Sequence, residues 1–303
     1  MVEKAFAPGG RLGGEAFLCM KGAVPLQLEW PPTKALPGGI DGGEAMPKVI
    51  VCGRGGSGKS TLVALLAAEL GHKNQVLVLD ADESNLSLGA MLGLEAPTQT
   101  IMEGLGGKPA VFEKMRVMFD SDFNEEARFF EGDLTVEGLL PERAGGKGPV
   151  YFARIGKIEH SMEGCACPMG AVARSFLKNL SLEEGQWVLV DTEAGVEHFG
   201  RGLLEGADAV LILTDPSLEA VMLAKKAAGL AREAGKPFHV VLNKVDAETE
   251  PQLREMLVRS GLEVLASLPY SQELTRANLS GEPVPPDLLQ ASLDLVIASM
   301  GHG

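Results

Sequence analysis

The stretch Gly53-Arg54-Gly55-Gly56-Ser57-Gly58-Lys59-Ser60-Thr61 constrains this 303-residue chain more than any other. It matches every fixed position of G-x-x-x-x-G-K-[ST], the loop that joins a strand to a helix around a bound phosphate. The flanks agree. The apolar run Val49-Ile50-Val51-Cys52 precedes it, and Leu62-Val63-Ala64-Leu65-Leu66-Ala67-Ala68-Glu69-Leu70, rich in strong helix formers, follows. Gly53, Gly55, Gly56 and Gly58 let the backbone curl with its N–H groups inward, Ser57 and Thr61 complete the cradle, and the helix N-terminus adds partial positive charge. Lys59 is then expected to reach the β/γ-phosphates of a nucleotide, and the Ser60 hydroxyl to ligate Mg²⁺.

Charge and composition remove several classes of function. The chain carries 27 Lys and Arg against 41 Asp and Glu, a formal net charge of −14, which argues against a sequence-independent grip on DNA. No apolar run approaches a membrane span, and the run from Leu288 to Ile297 lacks the basic face needed to lie on anionic lipid. A cytoplasmic protein with neither nucleic acid nor membrane as partner is expected. Its 4 cysteines do not make a secreted disulfide framework and suit a thiol or metal role instead. Residues 1–45 are dense in Gly and Pro without periodicity, so they read as an unstructured extension or a mis-assigned start ahead of Met46, with Cys19 an incidental thiol.

Residues 46–303 read as one nucleotide-binding domain. Gln75-Val76-Leu77-Val78-Leu79, Trp187-Val188-Leu189-Val190, Ala209 to Thr214 and Phe238 to Leu242 are apolar runs of the kind buried on both faces of a parallel sheet. Helical segments alternate with them, one expected from about Leu218 to Ala234 and stopped by Gly235. The fold class expected is therefore α/β, a doubly wound, mostly parallel sheet with the nucleotide at the C-terminal strand edge. At that edge stand Asp80 and Asp82, placed to contact Mg²⁺ or orient water, and Asp191, suited to a Mg²⁺ contact. Gly195 can turn its N–H toward a γ-phosphate. Residues 89–160 read as an insertion of peripheral elements without chemistry, with strands at Ala110-Val111-Phe112 and Val150 to Ile155 and a loop over residues 144–148.

A second informative stretch is Gly164-Cys165-Ala166-Cys167-Pro168-Met169-Gly170, ahead of an amphipathic helix near residues 171–180. Two thiolates one residue apart hold one side of a soft metal, and four-coordinate Zn²⁺ or Ni²⁺ needs two more ligands. Two subunits meeting across a two-fold axis would complete a four-sulfur site, tying metal to dimerisation. His160 is either a further ligand or a surface histidine, and two buried structural cysteines are the plainer alternative. Near the C-terminus, Asn243-Lys244-Val245-Asp246 also fits N-K-x-D, in which the aspartate takes guanine's two N–H donors, and Leu268-Pro269-Tyr270 is expected to flank the base.

These pieces together carry a resemblance. The loop with a basic Arg54 after Gly53 resembles the deviant Walker A loop of the MinD/ParA/NifH-like ATPases, with arginine where that group has a signature lysine. With Cys165-Ala166-Cys167-Pro168 and Asp191-Thr192-Glu193-Ala194-Gly195-Val196-Glu197-His198, residues 46 to about 270 are similar to the CooC-type ATPases that mature nickel carbon monoxide dehydrogenase. The resemblance implies an ATP-driven homodimer that hydrolyses ATP with Mg²⁺, holds Ni²⁺ or Zn²⁺ at Cys165 and Cys167, and delivers nickel to carbon monoxide dehydrogenase or acetyl-CoA synthase. It implies Arg54 crossing to the partner's phosphates, Asp82 as general base with Asp80 supporting it, and Asn243 reading adenine. An iron–sulfur carrier or reductase-like ATPase, a nickel-insertion GTPase, and a non-hydrolysing nucleotide switch are the alternatives.

Overall fold

The computed structural model describes residues 47–120, 129–130, 132–139, 144–157, 167–196, 199 and 202–301. The expected extension over residues 1–45, His160, Cys165 and the loop residues Glu197 and His198 lie outside them. Contacts divide the chain into Met1–Gly39 and Ile40–Gly303, and all described residues belong to the second unit.

That unit opens with β1 (Lys48–Gly53), α1 (Lys59–Leu70) and β2 (Gln75–Ala81). The short turns α2 (Leu88–Leu92) and α3 (Ile101–Gly104), helix α4 (Gly107–Asp120) and turn α5 (Val136–Leu139) lead to a hairpin of β3 (Ala144–Lys147) and β4 (Val150–Arg154). Then come α6 (Cys167–Asn179), β5 (Gln186–Thr192), β6 (Ala209–Thr214), α7 (Leu218–Glu233) and β7 (Phe238–Val245). Helix α8 (Thr249–Arg259), β8 (Val264–Pro269), α9 (Gln272–Ser280) and α10 (Gln290–Met300) complete it.

The described strands form one sheet in the order β3-β4-β2-β5-β1-β6-β7-β8, parallel everywhere except in the β3–β4 hairpin. Alternation along each strand feeds two cores. Ile50, Cys52, Leu77, Leu79, Val188 and Val190 face one, with Val172 and Phe176 of α6 and Val221 and Ala224 of α7. Val49, Val51, Val76, Val78 and Leu189 face the other, with α1 and with Leu293 and Val296 of α10. Each large side chain fully withdrawn from water contributes roughly 1.5–3 kcal/mol, so both faces need their helical cover. The doubly wound, mostly parallel α/β sheet expected from the apolar runs is what the chain forms.

Local chemistry accounts for the ends. Ser217 caps α7 by accepting from the Ala220 N–H at 3.1 Å, and Gly235, at φ 66°, takes the left-handed turn just past it. Three expectations are corrected. Ala110, Val111 and Phe112 lie within α4, where Val111 and Met115, one turn apart, face the core, so a short apolar run there was a helix stripe. Residues 144–147 form β3 rather than a loop, an antiparallel edge pairing in which Gly145 approaches the Glu95 carbonyl too closely for a comfortable side chain. The segment 89–160 is not merely peripheral: β4 pairs with β2 in the sheet, and the residue three beyond it reaches the site below.

Candidate functional site

The glycine-rich loop runs from the end of β1 to the start of α1 and closes on itself through Ser57 N–H to the Arg54 carbonyl at 3.1 Å. Gly58 sits before α1 at φ 99°, and a Cβ there would meet Asn243 Nδ2 at 2.4 Å, so glycine is required twice over. Lys59 is 7 % exposed, and among the described residues its ammonium has only a long 3.4 Å contact to the Arg54 carbonyl. Ser57 is fully buried, with its hydroxyl unpartnered among the described residues. The cradle thus offers a buried cation and inward polar groups to an anion.

At the magnesium end, Ser60 Oγ donates to Asp191 Oδ2 at 2.6 Å, and Asn85 Nδ2 donates to both at 2.9 Å. Asp191 is completely buried, its Oδ1 has no hydrogen-bond partner among the described residues, and burial pushes its pKa up to about 6. A hydroxyl beside a carboxylate with one free oxygen fits a hard divalent cation. Asp80 does not fit in the same way. It is fully buried, its Oδ2 lies 2.6 Å from the Lys157 ammonium and 3.8 Å from Arg154 Nε, and its Oδ1 accepts from the Asp82 N–H at 3.2 Å. In this arrangement Asp80 anchors the loop, through an ion pair to Lys157 and the Asp82 N–H. Burial raises its pKa to about 7 against the lowering effect of Lys157. Asp82 itself is half-buried, with Oδ1 accepting from Ser84 N–H at 2.8 Å and from Ser84 Oγ at 2.7 Å.

Arg54 does not reach outward. Its Nε donates to Asp215 Oδ1 at 3.2 Å, its Nη2 pairs with Asp215 Oδ2, and Glu219 lies 3.9 Å away. This two-point clasp ties the phosphate loop to the β6–α7 turn of the same chain. Gly195 donates its N–H to the Gly53 carbonyl at 3.2 Å, so the β5 loop is strapped to the same turn.

Beside the loop, a cleft of about 280 Å³ opens between α1 and α9, lined by Gly58, Thr61, Asn243, Pro269, Tyr270 and Asn278 among others. Asn243 Nδ2 donates to the Ser57 carbonyl at 2.7 Å, and Lys244, held at φ 58°, donates to the Gly56 carbonyl at 2.7 Å. Asp246 is spent on α8: its Oδ1 accepts from Glu248 N–H at 3.0 Å, Thr249 N–H at 2.8 Å and Thr249 Oγ1 at 2.8 Å. Those bonds hold its pKa below the usual carboxylate range and tie its Oδ1 to the start of α8. Cys167 begins α6, and Cys165 lies outside the described residues. Asn85, Lys157, Asp215 and Asn278 were not found by sequence reasoning; no motif marks them, and each arrives from a distant segment or a loop of ordinary composition.

A phosphate cradle on the C-terminal edge of a doubly wound sheet defines a P-loop nucleotide hydrolase. The family model described as the CobQ/CobB/MinD/ParA nucleotide binding domain matches residues 48–284, and the chain belongs to that family of P-loop ATPases. It is 41% identical over 242 residues to an uncharacterized ATP-binding protein of Methanocaldococcus jannaschii, covering 80% of this chain and 95% of that one. It is 28% identical to the carbon monoxide dehydrogenase accessory protein CooC of Rhodospirillum rubrum, covering 77% of this chain and 88% of the relative. Among solved structures, the septum site-determining protein MinD from Pyrococcus horikoshii, complexed with Mg-ADP, superposes with a TM-score of 0.55 at 20% identity, covering 82% of this chain and 92% of that one. That likeness is one of fold. No helix among the described residues is long and apolar enough to cross a membrane.

Proposed function

We propose that this ATPase is a cytoplasmic nickel metallochaperone of the CooC type, a homodimer whose ATP cycle loads and releases metal at Cys165 and Cys167 for a carbon monoxide dehydrogenase or acetyl-CoA synthase client. The observation that carries the reading is the similarity to CooC over 88% of that protein, in a chain whose sequence also holds Cys165-Ala166-Cys167-Pro168. Lys59 and Arg54 neutralise charge on the transferred phosphoryl group, Asp82 orients the attacking water, and Asn243 with Pro269 borders the base. Ser60 and Asp191 would hold Mg²⁺, which supplies charge neutralisation at the β/γ-phosphates. The helix-capping Asp246 favours ATP over GTP.

Arg54 serves this reading only if it leaves Asp215. Arg54→Ala is expected to lower ATP turnover by about a hundredfold or more, as loss of an arginine finger does. Its stability effect should stay under about 1 kcal/mol, since the Arg54 side chain is 33% exposed. Turnover within threefold of wild type would remove Arg54 from catalysis.

The metal is tested by anaerobic Ni²⁺ and Zn²⁺ titration with and without ATP, beside a Cys165→Ser/Cys167→Ser variant, with mass followed by light scattering. The expected result is one ion bound per dimer, shifted by ATP and lost in the variant. Binding indifferent to the variant, or absent, defeats the metallochaperone reading and leaves a P-loop switch. A visible-region cluster spectrum after reconstitution would select the iron–sulfur carrier instead.

A further inference from the structure

Lys157 stands two residues beyond Ile155, whose N–H donates to the Asp80 carbonyl at 3.0 Å and so extends the β2–β4 ladder past its last residue pair. This brings the lysine to the C-terminal edge of the sheet with its side chain 6% exposed. There its ammonium lies 2.6 Å from Asp80 Oδ2 and also donates to the Asp82 carbonyl. Asp80 Oδ1, in turn, accepts the Asp82 N–H. The three groups form a closed ring in which both backbone polar atoms of Asp82 are held, while its carboxylate accepts from Ser84 through Oδ1.

The far end of the same loop is also fixed. Asn85 donates to Ser60 Oγ and Asp191 Oδ2, so residues 82–85 are pinned by Lys157 on one side and by the magnesium-end residues on the other. Stability is a weak reason for such a lysine. A buried ion pair repays its desolvation poorly, and an apolar pair of similar volume often does as well. A buried charge bridging a carboxylate and a carbonyl instead gives a loop one geometry, and a misplacement of about 1 Å near reacting atoms costs about a hundredfold in rate.

We infer that Lys157 is a positioning residue for ATP hydrolysis, fixing the backbone of Asp82 through Asp80 so that the Asp82 carboxylate meets the attacking water. The inference rests on Asp82 as the water-orienting residue. It also gives the segment that follows β4 a part in the reaction.

The test compares steady-state ATP hydrolysis and fluorescent-nucleotide binding for wild type, Asp82→Asn, Lys157→Met, Lys157→Gln, Asp80→Asn and the Asp80→Asn/Lys157→Met double variant. Lys157→Met is expected to lower kcat roughly ten- to a hundredfold with KM and nucleotide Kd within about twofold. Lys157→Gln, which keeps one donor to the Asp82 carbonyl, should recover part of the loss. The double variant removes both buried charges together and so guards against misfolding; it should be no slower than the slower single variant, because both residues act through one loop. If Asp82→Asn hydrolyses ATP as fast as wild type, the site reading itself has failed. If Asp82→Asn is inactive while Lys157→Met keeps wild-type kcat, or if the Asp80 and Lys157 losses simply multiply, only the role of Lys157 is overturned.

Discussion

Replacing Lys59 with alanine is expected to reduce kcat/KM for ATP by at least about a thousandfold, roughly 4 kcal/mol of transition-state stabilisation. The expectation follows from how the lysine is kept. Its side chain is withdrawn from water, yet among the described residues its ammonium makes only a 3.4 Å contact to a carbonyl. An ammonium kept out of water beside a loop of inward N–H groups is placed to pair with a phosphate. Lys59→Ala should melt close to the wild-type temperature while losing activity, which separates a catalytic loss from an unfolding one. Turnover above a tenth of wild type would mean that the cradle works without its cation.

Asp191→Asn should stabilise the nucleotide-free protein at neutral pH and abolish its response to Mg²⁺ and ATP. Complete burial lifts the Asp191 pKa from 3.8 to about 6, against the lowering effects of Ser60 Oγ, Lys59 and Asn85. An acid that is harder to ionise when folded is no burden below its unfolded pKa. Its contribution is lost as pH rises through the folded value. Asparagine preserves the shape and an acceptor for Ser60, so the two proteins should melt alike near pH 4. Above pH 7 the variant should be about 3 kcal/mol more stable at most, a gain of several degrees. Asp80, raised by burial to about 7, moves the wild type in the same direction. Thermal melts across pH 4–8, with and without Mg²⁺ and ATP, decide the matter: a variant less stable than wild type at pH 8 would show that the Asp191 carboxylate is already neutralised in the apo site.

Much of this site could be read along the chain because its parts are local. The phosphate loop needs glycines, a lysine and a hydroxyl within nine residues of one turn. Strands buried on both faces announce themselves as unbroken apolar runs, and Asp80 and Asp191 fall at the ends of two of them. What escaped depends on strand order. Lys157 meets Asp80 across 77 positions only because β4 pairs with β2, and Arg54 finds Asp215 across 161 because β6 pairs with β1. N-K-x-D was open for a different reason: the motif specifies residue types, whereas the bonds of Asp246 depend on the helix start just after it. The α4 and β3 corrections lie where three apolar residues or two glycines are too short a pattern to choose a period.

The strand order also bears on how the protein is made. Among the described strands β1 leaves the ribosome before the rest, yet both of its neighbours, β5 and β6, lie more than 130 residues downstream. Until Gln186–Thr192 and Ala209–Thr214 are synthesised, Val49-Ile50-Val51-Cys52 has no native strand to pair with on either side. At roughly 5–20 residues per second this amounts to many seconds of exposure for an apolar segment, the circumstance in which nascent chains associate with one another. The centre of the sheet therefore cannot be assembled until β5 and β6 have been made, and the yield of soluble protein should respond more to translation rate and chaperone supply than the stability of the finished fold would suggest.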